Sequence, residues 1–152
     1  MSGEYFSMDE LSAILGEQLD KGGRVRLTVS GMSMYPMLRN GIDSVVLEKA
    51  AFYKKGDIPL YIRPDGSYIL HRIVGKNGEE YTLCGDNQMD REEGVSRSRF
   101  IAKVAGFYRR SRYVPVSALW YRFYTFLWVD CFRLRPFFAR IIEMIRKIQP
   151  QR

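Results

Sequence analysis

The chain is poor in the groups that metal and cofactor chemistry most often uses. Among 152 residues there is one histidine, His71, and two cysteines, Cys84 and Cys131, far apart. A zinc site of the usual kind needs several nitrogen or sulfur ligands at short spacings, so this composition argues against one. The cysteines neither require nor exclude a disulfide. No Gly-rich phosphate loop occurs, and no cofactor is expected. A membrane-spanning helix needs about 20 apolar residues, whereas the apolar stretch from Val116 to Phe132 is interrupted by Arg122 and Asp130. The first residues lack the basic start and apolar run of a signal peptide and carry Glu4, Asp9, Glu10 and Glu17 instead.

What is present suffices for a globular core: 46% of residues are hydrophobic and 14% aromatic, which excludes a disordered chain and fits one domain with an appendage. Ser7 and Glu10 read as a capping box that opens an amphipathic helix to about Leu19, with Leu11, Ile14, Leu15 and Leu19 on the face packed against the domain. The middle of the chain alternates like a β protein. Strands are expected over Arg24–Val29, Ser44–Leu47, Ile58–Ile62, Ser67–Val74, Glu80–Leu83 and Phe100–Phe107. Asp65-Gly66 and Asn77-Gly78 are hairpin signals between them. Many short strands with tight turns point to a mainly β fold, a small antiparallel barrel or sandwich. The expected organisation is a helix over 1–23, a β domain over 24–110 and a basic aromatic helical tail over 111–152.

The tail holds the charge. From Arg109 onward there are ten basic residues against Asp130 and Glu143, while the whole chain has a net charge of +7. The preceding 108 residues are therefore close to neutral. The tail is also dense in aromatics, including Trp120, Tyr121, Phe123, Tyr124, Phe126, Trp128, Phe137 and Phe138. Arg122, Arg133, Arg140 and Lys147 recur at spacings that share one side of a helix, and Pro136 suits a helix start or kink. The favoured reading is a pair of interfacial helices lying on anionic lipid, with arginines at the phosphates. A short or tilted span, and a helix docked on the domain, remain the alternatives. So continuous an apolar mass disfavours nucleic acid as a partner.

Two stretches carry candidate chemistry. Gly31-Met32-Ser33-Met34-Tyr35-Pro36 places a serine in a proline-stiffened apolar turn, and Leu70-His71-Arg72-Ile73-Val74-Gly75 places the histidine within an apolar strand pattern. A serine hydroxyl needs a base within hydrogen-bond reach to become a nucleophile, and imidazole suits that task near neutral pH. The same residues would also serve as a surface turn and a packed core histidine. A third block, Tyr81-Thr82-Leu83-Cys84-Gly85-Asp86-Asn87, adds a glycine expected to hold a special backbone conformation and a carboxylate. Asp86 reads equally as a turn residue accepting backbone amides.

Ser33-Met34-Tyr35-Pro36, His71-Arg72-Ile73-Val74-Gly75 and Gly85-Asp86-Asn87, in this order and with Gly56-Asp57-Ile58 between the first two, resemble the blocks of type I signal peptidases and their LexA-like relatives. The resemblance spans roughly Val25 to Tyr108. It implies a LexA-like antiparallel β fold and a serine endopeptidase acting on a precursor or signal peptide with small residues before the cut. Most of that family uses a lysine base; this sequence resembles the subtype with histidine. By resemblance Ser33 is the nucleophile, His71 the general base and Asp86 the orienting carboxylate. Asp90 ranks second, with Glu92 and Glu93 nearby at altered spacing. Gly31, Met32, Met34 and Pro36 would flank the substrate. Gly31 stands where the family often has a hydroxyl residue, which leaves oxyanion stabilisation to the Ser33 amide, with Ser30 as a further donor.

The expected protein is thus a membrane-associated peptidase whose partners are a peptide or precursor substrate and an anionic membrane surface. A non-catalytic binding module on the same fold is the alternative. A self-cleaving regulator is disfavoured, because the residues before Val25 cannot hold a DNA-binding domain and the Ala105-Gly106 pair follows the serine.

Overall fold

The computed structural model describes residues 16–148. The fold is mainly antiparallel β, with a short helical segment at the N-terminal side and helices at the C-terminal end. Residues 16–20 are helical (α1), and Leu19 among them is buried in the main core. The Ser7–Glu10 capping box lies outside the described residues.

Nine strands follow: β1 Val25–Thr28, β2 Ser44–Glu48, β3 Pro59–Ile62, β4 Tyr68–Leu70, β5 Arg72–Asn77, β6 Glu80–Cys84, β7 Glu92–Ser96, β8 Phe100–Arg109 and β9 Arg112–Pro115. One sheet runs β1-β2-β8-β3-β4, and β9 also pairs with β8; a second, three-stranded sheet runs β5-β6-β7. Strand β8 is the spine of the larger sheet. Its first half pairs with β3 and its second half with β9 on one edge, while β2 pairs along the other. Glycines at positive φ, Gly66 at 83° and Gly78 at 58°, make the two hairpin turns that the sequence signals.

The continuous strand expected over Ser67–Val74 is broken. Tyr68–Leu70 belongs to the larger sheet and Arg72–Asn77 to the smaller one, with His71 between them. The stretch reads as one strand because apolar residues stand on both sides of His71 and Arg72. The change of sheet is a tertiary event that periodicity does not reveal. Strands β7 and β9 carry charges and glycine or proline, and neither was legible as a strand.

Two apolar clusters hold the sheets. One gathers Leu19, Met34, Met37, Leu38, Val45, Leu47 and Phe107 with Tyr121 from the C-terminal end. The other, Tyr53, Tyr61, Ile73, Tyr81, Leu83, Val95 and Phe100, joins residues of the two sheets. Helix α2, Leu119–Val129, and helix α3, Arg135–Ile148, are separated by a 3-10 turn at Phe132–Leu134. Pro136 sits in the first turn of α3, as a helix-starting proline should.

Candidate active site

The serine lies in a loop whose two ends are anchored differently. Gly31, at φ 87°, donates its amide to Asn40 Oδ1 at 3.0 Å. Tyr35 N donates to Met32 O and Leu38 N to Met34 O, closing successive turns around Ser33, and the Tyr35–Pro36 peptide is cis. Met34, Met37 and Leu38 are at most 2% exposed and fasten the loop into the main core. Met34 therefore supports the loop from inside, and its side chain is not available to a substrate. Pro36 is also buried, whereas Gly31 and Met32 are exposed.

Ser33 itself is half-buried. Its carbonyl accepts the Asn87 amide at 2.8 Å, which ties the serine loop to the Gly85-Asp86-Asn87 turn. Among the described residues its hydroxyl and its amide take no partner. Gly85 makes this approach possible: a Cβ there would stand 2.6 Å from the Ser33 carbonyl oxygen. The glycine is required for close approach and not, as the sequence suggested, for an unusual backbone conformation, since its φ is not positive.

His71 stands at the break between β4 and β5, 3% exposed. Its Nδ1 lies 3.2 Å from Glu92 Oε1 and 3.3 Å from the Tyr61 hydroxyl. Arg63 holds the other side of Glu92, donating from Nε to Oε2 at 3.1 Å and from Nη2 to Oε1. Burial lowers the His71 pKa below its ordinary value of 6.5, with Glu92 acting in the opposite direction. Burial pushes the Glu92 carboxyl up, but Arg63, Tyr61 and His71 more than reverse this, so Glu92 lies below the usual carboxylate value. Burial, with Glu92 alongside, pushes the Tyr61 hydroxyl well up. At neutral pH the arrangement is a neutral imidazole against an ionised carboxylate. An ionised carboxylate this close to Nδ1 favours the tautomer that carries its proton there, which leaves the Nε2 lone pair free.

Asp86 does something else. Both of its carboxylate oxygens accept from Arg72, which donates from Nε to Oδ1 at 2.8 Å and from Nη2 to Oδ2 at 2.7 Å. Both side chains are completely buried. The remaining Arg72 donors reach Gly56 O, the Tyr121 hydroxyl and Thr125 Oγ1. Burial opposes the Arg72 charge, but Asp86 outweighs it and the pKa is raised. Asp86 is thus a structural ion-pair partner beside the site, and the carboxylate against His71 is Glu92. Asp90 is exposed, and its backbone carbonyl receives the Cys84 thiol. Both cysteines are free. Sequence spacing could bring Glu92 in only as one of several acids after the Gly-Asp-Asn turn. Tyr61 and Arg63 gave no signal, because they come from β3 and the residue just after it, distant in sequence from Glu92.

The C-terminal helices close over this ion pair. Tyr124 donates its hydroxyl to Asp86 Oδ2 at 3.0 Å, and Trp128 donates Nε1–H to Asp86 O at 2.8 Å. Arg135, 2% exposed, donates to Trp128 O, Gly85 O and Gln88 O. Part of the basic aromatic tail is therefore core of the domain. Its other side is open: Leu119, Trp120, Phe123 and Phe126 on α2, and Phe137, Met144 and Ile145 on α3, are 47–81% exposed. No helix among the described residues is long and apolar enough to cross a membrane. A cleft of about 1080 Å³ opens between the serine loop, the β8–β9 hairpin and these helices, lined by Pro36 and Met37 but by none of Ser33, His71 or Glu92. No group of metal-ligating side chains occurs among the described residues. Comparisons with protein-family models, with curated proteins and with solved structures each find no match to this chain.

Proposed function

We propose that the chain is a serine endopeptidase of the signal-peptidase type, cleaving a peptide bond in an extended precursor or signal peptide. Ser33 is the nucleophile, His71 the general base, and Glu92 the carboxylate that orients it. The contact of Glu92 with His71 Nδ1 carries this reading. An anionic oxygen there stabilises the tautomer protonated on Nδ1, and later the imidazolium, so Nε2 is left to take the Ser33 Oγ proton as that oxygen attacks the scissile carbonyl carbon. The uncommitted Ser33 amide suits the developing oxyanion. His71 then returns the proton to the leaving amine, and water hydrolyses the acyl-enzyme with the same base. An extended substrate can add as a strand. Strands β1 and β4 are the ends of the larger sheet's main path, and they lead into the serine loop and His71 respectively.

The enzyme works at an anionic membrane surface. The exposed aromatic side of α2 and α3, with the exposed Arg122, Arg133 and Arg140 beside it, supports this. The test is digestion of a peptide library with small residues before the scissile bond, read by mass spectrometry. Wild-type protein is expected to cleave, and Ser33→Ala and His71→Ala to abolish cleavage with circular dichroism unchanged. Cleavage that survives both substitutions would remove the assignment. Absence of cleavage by the wild type, with membrane binding intact, would favour a binding module.

A further inference from the structure

We infer that the cleft beside the serine loop is a binding site for a single anionic phospholipid, with its phosphate at the tip of the β8–β9 hairpin and its first chain segments along α2 and α3. This builds on the membrane-surface reading above and makes it specific. The hairpin tip is Arg109-Arg110-Ser111-Arg112, with Arg109 and Arg112 paired across the strands. Arg110 and Ser111 form the two-residue turn at φ 48° and 69°, where glycine or asparagine is the usual choice. This turn presents arginine to the cleft where a residue better suited to the backbone would not.

The charges are not equivalent. Arg39 is neutralised by the buried Asp43 at 2.6 Å. Arg109 donates to Pro36 O at 3.4 Å and so joins the hairpin to the serine loop. Arg110 and Arg112 are exposed, and no carboxylate among the described residues pairs with either. Both line the cleft, and among the described residues no acidic side chain does. The helices contribute apolar lining: Trp120, Ile142 and Ile145 belong to it, with Trp120 held edge-on against Phe107 at 5.9 Å between ring centres. Two guanidiniums without a carboxylate partner, in one cleft with aromatic and aliphatic lining, match a phosphate diester attached to acyl chains. A free phosphate would use only half of this surface, and a neutral lipid only the other half. Because Pro36 and Met37 form part of the lining, the bound lipid touches the loop that carries Ser33.

The two tryptophans supply the assay. Trp120 lines the cleft, and Trp128 is buried against Asp86 as an internal control for folding. Short-chain phosphatidylglycerol, kept below its micelle-forming concentration, is titrated while both indole N–H signals are followed by NMR. The Trp120 signal should shift and saturate while that of Trp128 stays still. The Arg110→Glu/Arg112→Glu pair, and the milder Arg110→Gln/Arg112→Gln pair, should weaken binding, the former by about thirtyfold or more. The same reversal at Arg122 and Arg140, outside the lining, should change it by less than about threefold. Inorganic phosphate should bind far more weakly than the lipid. Equal binding of phosphate and lipid would overturn the lipid assignment. Equal losses from the two pairs of reversals would reduce the effect to diffuse charge and overturn the site. Binding to phosphatidylglycerol vesicles without any Trp120 response to the monomeric lipid would leave the membrane reading standing and remove this one.

Discussion

At the scale of single residues, the site turns on which carboxylate meets the histidine. Glu92→Gln keeps the shape but removes the charge on Nδ1, so the wrong tautomer becomes accessible. Peptidase activity is expected to fall by roughly 10²- to 10⁴-fold in kcat with KM little changed, and steady-state kinetics on a cleaved library peptide checks it. Asp86→Asn should act through stability instead. It leaves Arg72 charged and wholly buried without its anion, at a loss of about 3–5 kcal/mol, and Tm should drop by roughly 10 °C or more in a thermal melt. The pH dependence follows from His71. Its folded-state pKa is lowered by burial below 6.5, so on acidification the unfolded chain takes up a proton before the folded one does. The stability contribution present above 6.5 is lost as pH falls from there towards the folded value. The acid limb of kcat/KM should likewise lie below 6.5, since the base works in its neutral form. The sequence singled out Ser33 and His71 because both stand in distinctive local patterns. It ranked Asp86 over Glu92 because linear spacing cannot reveal that Arg72, one residue from the histidine, claims the nearer acid.

At the scale of elements, the instructive feature is the Gly85-to-Gln88 turn, held from two directions. The serine loop approaches from one side through Asn87 N, and the tail grips it from the other through Trp128 and Arg135. Gly85→Ala should displace the Ser33 carbonyl, because its Cβ would fall 2.6 Å from that oxygen. Activity should therefore fall more than stability, as kinetics and a melt on the same sample would separate. Trp128→Phe removes one buried donor from Asp86 O and should destabilise by about 1 kcal/mol, read from a urea transition. Most strands were legible because alternation and Gly turns are local signals. The break at His71 was not, because both halves remain apolar while they change sheet. Arg135 read as one more basic residue of an amphipathic tail. Its burial depends on the carbonyls of Gly85, Gln88 and Trp128, which no pattern within the tail encodes.

At the scale of the whole molecule, the C-terminal segment has two faces in different surroundings. One is built into the domain through Tyr121, Tyr124, Thr125, Trp128 and Arg135, and the other exposes aromatics and arginines. The docked-helix alternative describes the packed face, and the exposed face is the one on which the interfacial reading is proposed. Binding to phosphatidylglycerol vesicles should be strong at low salt and fall steeply as salt is raised, with little binding to phosphatidylcholine alone; vesicle co-sedimentation measures both. Salt-independent binding to both lipids would remove the electrostatic part of this account.

The central claim is that His71, oriented by Glu92, serves Ser33. It is tested most directly by following the imidazole of the only histidine by NMR across pH in wild type, Glu92→Gln and Ser33→Ala. The account predicts titration below 6.5 in the wild type, a further downward move in Glu92→Gln because the carboxylate favours the charged ring, and a perturbed curve in Ser33→Ala. An imidazole that titrates at 6.5 and ignores both substitutions would contradict it.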